Sequence, residues 1–200
     1  MGLTVSPLRS ALLRCAAQAD LVADELNALD GRLGDGDLGA TLQKCARNLQ
    51  ACIPAAEGDL GAVMKAAAVA CTKASGSSFG TLLAVAFMTA AKALHGRQEL
   101  PWAELSPLLG TVLDALRSRG GASLGDKTVL DTLEAVRVAV AGDDAGQQHR
   151  QAVAAVEATL TEFRQRPNRI GRARMFAERS VGLDDPGMVA FRHLVVAAGG

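Results

Sequence analysis

Three aspartates within eight residues carry the densest chemistry in this chain: Asp30, Asp35 and Asp37, in the run Asp30-Gly-Arg-Leu-Gly-Asp-Gly-Asp-Leu-Gly39. Carboxylates crowded this way repel and raise one another's pKa unless positive charge lies between them. Hard divalent cations prefer such oxygen donors, and a cation carrying phosphate is the natural compensation. The plainer account is a solvated turn in which Asp37 caps the following helix. An EF-hand loop fails on spacing: counted from Asp35, Ala40 stands where glycine is needed and Ala46 where the closing glutamate belongs.

Three further polar islands follow. Lys73-Ala-Ser-Gly-Ser-Ser-Phe-Gly-Thr81 puts small hydroxyl residues ahead of a helix, where free backbone N–H groups suit an anion; ordinary helix junctions share that composition. Ser118-Arg-Gly-Gly-Ala-Ser-Leu-Gly-Asp-Lys-Thr128 superficially resembles a Walker A loop, but Asp126 breaks the required G-x-x-x-x-G-K-[ST] and no strand precedes it. It reads either as a helix cap with a charged first turn or as a nucleotide contact. In the fourth, Gly171 to Gly187, Arg172, Arg174 and Arg179 offer charge to phosphate or a plane to adenine, or else form a solvated basic loop. There Asp185-Pro186-Gly187 turns tightly into a helix.

The elements that must position these islands are helical. Leu8, Leu12, Cys15, Ala19, Val22, Leu26 and Leu29 alternate steps of four and three, predicting one long amphipathic helix over residues 7–29 with Ser6-Pro7 as its start. Asp30 ends that pattern, and the glycine-rich run after it is expected to stop the helix. Leu42, Cys45, Leu49 and Cys52 predict a second helix, ended by Pro54 and Gly58, and Asp59 caps a third that runs to about Thr72. The fourth spans about Phe79 to Leu94, the fifth opens at Pro101, Asp126 caps the sixth, Val153 to Phe163 mark the seventh, and Pro186 opens the last. No β-branched stretch alternates apolar and polar residues, so no strand is expected. The chain reads as one all-α domain, residues 1–200, of roughly eight helices.

Composition narrows the function classes. The 200 residues are 49% hydrophobic with balanced formal charge, which gives one buried core and no basic surface for nucleic acid. No apolar run is long enough for a bilayer, and Arg9 and Arg14 interrupt any secretory pattern. The first residues formally fit a myristoylation signal, though the Ser-Pro helix start explains them more simply. Cys15, Cys45, Cys52 and Cys71 form no CxxC pair and lie in apolar helical stretches, where free thiols pack as small hydrophobes. A reduced, cytoplasmic protein is expected.

Taken in order, the four islands resemble the nucleotide-binding subunit (L subunit, or DhaL domain) of dihydroxyacetone kinases, over essentially the full length. Leu29 to Gly39 matches the family's L-D-x-x-x-G-D-G-D-H-G; Ala74 to Thr81 approximates G-x-S-G-x-L-[FY]-G-T; Gly125 to Asp131 approximates G-D-K-T-M-x-D; and Gly171 to Met188 approximates G-R-A-S-Y-x-x-x-R-S-x-G-H-x-D-P-G-A. The resemblance implies a closed barrel of eight antiparallel amphipathic helices with the nucleotide at one end. It implies ATP or tightly bound ADP, held through Mg²⁺, two ions in the family, on Asp30, Asp35 and Asp37. It also implies nucleotide contacts at Leu38, Gly39, Ala40, Thr41, Ala74, Ser75, Gly120, Val129, Arg172, Asp185, Pro186 and Gly187, with the backbone from Gly39 to Thr41 facing phosphate.

In this family a separate K-type subunit holds the sugar through a histidine, and none of this chain's three histidines falls in a motif. The implied role is therefore phosphoryl transfer to dihydroxyacetone or a similar short-chain sugar on that partner. Either ATP exchanges at each turnover, or bound ADP is recharged by a phosphotransferase-system protein. Leu38 and Leu183 stand in place of two family histidines, Ser77 and Ser78 replace a glycine-or-proline and a leucine, and Arg174-Met175 replaces Ser-Tyr. These departures motivate an alternative, a non-catalytic ADP- or ATP-binding sensor of the same fold.

Overall fold

The computed structural model describes residues 2–74, 78–142 and 144–199. Among them are nine α-helices: α1 (Val5–Leu21), α2 (Ala23–Leu33), α3 (Leu38–Cys52), α4 (Leu60–Ala74), α5 (Ser78–Ala93), α6 (Leu105–Gly120), α7 (Val129–Ala139), α8 (Ala145–Phe163) and α9 (Pro186–Gly199). Short 3₁₀ turns cover Trp102–Glu104, Arg172–Phe176 and Glu178–Ser180. None of the described helices is long and apolar enough to cross a membrane.

Most helices arise where the apolar periodicity places them, and their caps explain the boundaries. Asp59 accepts the Ala62 N–H (2.7 Å) at the start of α4. At α9, Asp185 accepts the Met188 N–H (2.9 Å), with Pro186 in the first turn where its missing donor costs nothing. The predicted helix over residues 7–29 is two helices. Val22 leaves helical geometry (φ −102°, ψ 4°) while the carbonyl and N–H bonds on either side persist. Because Ala19, Val22 and Leu26 stay buried across the break, the apolar pattern does not register it. The first helix also begins before Ser6, at Val5, with no side-chain cap.

Two other expectations are corrected. α7 is capped by Thr128, not Asp126: Thr128 Oγ1 accepts the Leu130 N–H (3.2 Å), and Asp131 Oδ2 accepts the Thr128 N–H (2.8 Å) in a capping box. Asp126 instead accepts the Ser123 N–H within the preceding turn. A small antiparallel ladder also forms, β1 (Gly2–Thr4) with β2 (Glu99–Pro101), in register Leu3 to Leu100. Three residues per strand are too few to show alternation in sequence.

The helices pack in a cyclic order: α1 on α3, α3 on α4, then α5, α6, α7, α8 and α9 in turn, with α9 returning to α1. The main core runs through this ring on Leu8, Leu26, Leu42, Leu60, Val63, Val156 and Met188, and a second cluster joins α5, α6 and α7 through Ala90, Leu113, Leu116, Leu130 and Leu133. Cys45 and Cys71 bury their thiols against each other between α3 and α4, and Cys52 donates to the Ala66 carbonyl. All four cysteines are free, as hydrophobic packing requires.

α2 lies outside the ring's sequence, against α3 and α9. Its approach to α3 is set by Gly39: a Cβ there would lie 2.0 Å from the Ala23 carbonyl oxygen. Gly39→Ala should therefore force α2 and α3 apart and cost about 1–3 kcal/mol in urea denaturation. Unchanged stability would show that the contact yields freely.

Candidate nucleotide and metal site

The acidic motif is built from a helix end and a four-residue turn. α2 continues through Asp30 and Gly31 to Leu33, correcting the expectation that glycine ends it at Asp30; the Asp30 carbonyl still accepts the Gly34 N–H (2.6 Å). Asp30 thus projects from a helical turn, whereas Asp35 and Asp37 sit on the turn before α3. One oxygen from each carboxyl falls within 4.8 Å of the others.

Asp30 is the organising residue. Its Oδ2 accepts the N–H groups of Asp37 (3.0 Å) and Leu38 (3.3 Å), doing for α3 what a cap side chain normally does. Asn27, one turn earlier, accepts the Ala40 N–H (3.1 Å) through Oδ1. Asp37 makes no side-chain cap bond, so its carboxylate is not spent on the helix. Gly34 allows the approach, since a Cβ there would meet Asp30 Oδ1 at 2.5 Å.

Beside this turn a cavity of about 670 Å³ opens between α2, α5, α6, α7 and the start of α9. Asp30, Asp35, Asp37 and Asp185 are its acidic lining residues, and Phe79, Leu82, Leu116, Val129 and Ile170 are among its apolar ones. Arg119 is the cation among its described lining side chains. A cavity of this size with few polar groups on apolar walls is the usual form of a small-molecule site.

The residues named from sequence distribute unevenly. Leu38, Gly120, Val129, Asp185, Pro186 and Gly187 line the cavity with the three aspartates. Gly39, Ala40 and Thr41 do not. The Ala40 N–H is held by Asn27 and the Thr41 N–H by the Asp37 carbonyl (2.9 Å), so those donors are committed within the protein. Ala74 ends α4 outside the lining. Ser75 lies outside the described residues, and of Arg172 only the backbone is described, in a 3₁₀ turn. Leu38 is buried and part of the main core.

Sequence reasoning missed Asn27, Phe79, Thr81, Arg119 and Ile170. Phe79 stands at the aromatic position of the second island's family motif and at a helix start, and a Cβ on Gly187 would touch its ring at 3.5 Å. Lys127, in the Walker-like run, turns inward. It is fully buried, sits at φ 62°, and its Nζ donates to the carbonyls of Arg164 (3.2 Å), Arg166 (2.8 Å) and Ser180 (2.8 Å). Burial lowers its pKa, with Asp185 and Asp184 acting against that. At Asp185 burial pushes the carboxyl up to about 6, opposed by the Met188 N–H, Asn168 and Lys127.

The sequence profile of the DAK2 domain matches residues 32–198. The chain belongs to this family. It is 30% identical over 195 residues to the PEP-dependent dihydroxyacetone kinase, ADP-binding subunit DhaL, of Escherichia coli (strain K12), covering 94% of this chain and 92% of that one. It is also 36% identical over 184 residues to the D-erythrulose kinase of Mycolicibacterium smegmatis, matching 86% of this chain but 31% of that longer protein. The DAK2 fold is shared with the dihydroxyacetone kinase of C. freundii solved in complex with AMP-PNP and Mg²⁺: TM-score 0.75, 22% identity, 98% of this chain and 34% of that one.

Within this DAK2 domain the two kinds of aspartate separate experimentally. Asp30→Ala should cost the unliganded protein about 1–2 kcal/mol by leaving two N–H groups without their acceptor. Asp35→Ala, at an exposed position, should change stability by less than about 0.5 kcal/mol or raise it. Equal losses in chemical denaturation would contradict the division.

Proposed function

We propose that the chain is the nucleotide- and Mg²⁺-binding subunit of a dihydroxyacetone-type kinase. One observation carries the reading: three carboxyl oxygens converge within 4.8 Å in the lining of a cavity whose remaining surface is mostly apolar. Family membership and the names of the E. coli and C. freundii relatives support it. The donor set fits the ion, being all hard oxygen, partly accessible and anionic. Asp30, Asp35 and Asp37 would hold Mg²⁺, two ions in the reading taken from the family. When bound, Mg²⁺ neutralises phosphate charge and stabilises it during transfer.

The chain's own groups then divide the remaining work. Phe79, Leu82, Leu116 and Val129 offer the base an apolar slot; Gly120, Pro186 and Gly187 let its edges approach backbone; Asp185 supplies an acceptor. Arg172 would meet phosphate or the base. Phosphate contacts fall mainly to the ions, because the N–H groups of Gly34, Asp37, Leu38, Ala40 and Thr41 are already bonded within the protein. The cyclic helix packing supports a closed barrel with the site at one end, the whole chain acting as a single nucleotide-binding unit.

Dihydroxyacetone or a similar short-chain sugar would be presented by a K-type subunit docking over the acidic mouth. A phosphotransferase-system protein would recharge ADP if the nucleotide stays bound. The buried Leu38, where the family has histidine, is the observation that favours a second reading, a non-catalytic nucleotide sensor.

ADP with Mg²⁺ should raise the melting temperature by several degrees, ADP with EDTA should not, and Asp35→Ala should abolish the Mg²⁺-dependent part. Retained tight ADP–Mg²⁺ affinity in Asp35→Ala would defeat the metal assignment. Transfer to dihydroxyacetone when a K-type subunit is added supports the kinase; binding without transfer favours the sensor.

A further inference from the structure

Three elements meet behind the cavity wall at one buried side chain, Asn168, which is 1% exposed. Its Nδ2 donates to the Lys127 carbonyl (2.8 Å) and to Asp185 Oδ2 (2.8 Å), and its N–H donates to Ser180 Oγ (2.8 Å). The amide orientation is forced by chemistry. Both partners of Nδ2 are acceptors, so the reversed amide would set oxygen against a carbonyl and a carboxylate. Asn168 Oδ1 is buried with no hydrogen-bond partner, a cost the structure bears to keep both donors in place.

The frame that holds Asn168 is itself rigid. Lys127 Nζ ties the carbonyls of Arg164, Arg166 and Ser180 together, Arg169 N–H donates to the Asp126 carbonyl, and Arg164 makes a two-pronged pair with Asp184 (2.9 and 2.8 Å). Asp185 Oδ1 is set by the Met188 N–H and Oδ2 by Asn168, the Gly187 N–H adds a weaker pull on the carboxylate, and the carboxylate borders the cavity.

We propose that Asn168 is a positioning residue, absent from the cavity lining, that orients the Asp185 carboxylate as an acceptor for the bound nucleotide. This rests on the reading of the cavity as a nucleotide site. The charged groups around Asp185 are Lys127 from the α6–α7 loop and the Arg164–Asp184 pair beside it; Asp30, Asp35, Asp37 and Arg119 line the same cavity. An amide N–H aimed at Oδ2 favours the ionised carboxyl, opposing the burial that brings its pKa up to about 6.

The test is a double-mutant cycle on the full chain, with ADP and Mg²⁺ as the probe in isothermal titration. Asn168→Ala and Asp185→Ala should each weaken binding about tenfold, and the double variant should bind within about twofold of Asp185→Ala alone. In the wild type, affinity should fall as pH drops through about 6, where the ADP phosphate also titrates, so the diagnostic result is that Asn168→Ala moves the midpoint up. Circular dichroism checks folding, and Asn168→Ser, which keeps one donor, replaces the alanine variant if that does not fold. Multiplying effects with an unmoved pH midpoint would overturn the inference, as would unaltered affinity in Asp185→Ala, while both leave the nucleotide reading standing. Absence of ADP–Mg²⁺ binding by the wild type overturns both.

Discussion

The acidic part of the cavity depends on holding three carboxyl groups with an oxygen of each within 4.8 Å of the others. Asp30 does the holding. By spending one oxygen on the N–H groups of Asp37 and Leu38, it fixes the turn that carries the other two aspartates and starts α3 at the same point. A helix N-terminus is a weak positive pole, so Asp30 gains there part of what its neighbours cost it. In the proposed reading a bound cation supplies the remainder.

Another part of the cavity lining is organised by the reverse stratagem. Lys127 is a cation removed from water and surrounded by carbonyl oxygens contributed by the end of α8 and the 3₁₀ turn at Ser180. Its left-handed backbone costs about 1 kcal/mol, offset by three charge-assisted bonds. That knot carries Ile170, Gly171, Asp185 and Gly187 to the cavity, so a loop with little regular structure becomes a defined surface. The cavity therefore joins a cluster of three carboxylates to a loop braced by an internal cation.

Much of this was legible in the chain. Apolar spacing located the helices, and the acidic run located the carboxylate cluster beside the cavity, because both signals are local. What failed was non-local or backbone-borne. The Gly39–Thr41 segment looked like an open helix start, but Asn27, twelve residues before Gly39 in sequence, reaches across to take the Ala40 N–H. The Lys127 run read as a charged first turn or a nucleotide contact, and only its three distant carbonyl partners make the lysine internal. The kink at Val22 and the two three-residue strands leave the hydrophobic period unaltered, so no reading of periodicity finds them. Asn168 carried no signal at all: a single polar residue between arginines reads as loop until its neighbours in space are known.

The central claim is that Asp30, Asp35 and Asp37 bridge to a polyphosphate through divalent cations. Crystals grown with ADP and Mn²⁺ in place of Mg²⁺ test it most directly, since anomalous scattering locates manganese independently of the refined protein. The account predicts manganese within about 2.0–2.3 Å of oxygens from all three aspartates and of ADP phosphate. Nucleotide bound in the cavity with manganese absent from those carboxylates, or located elsewhere, would contradict it.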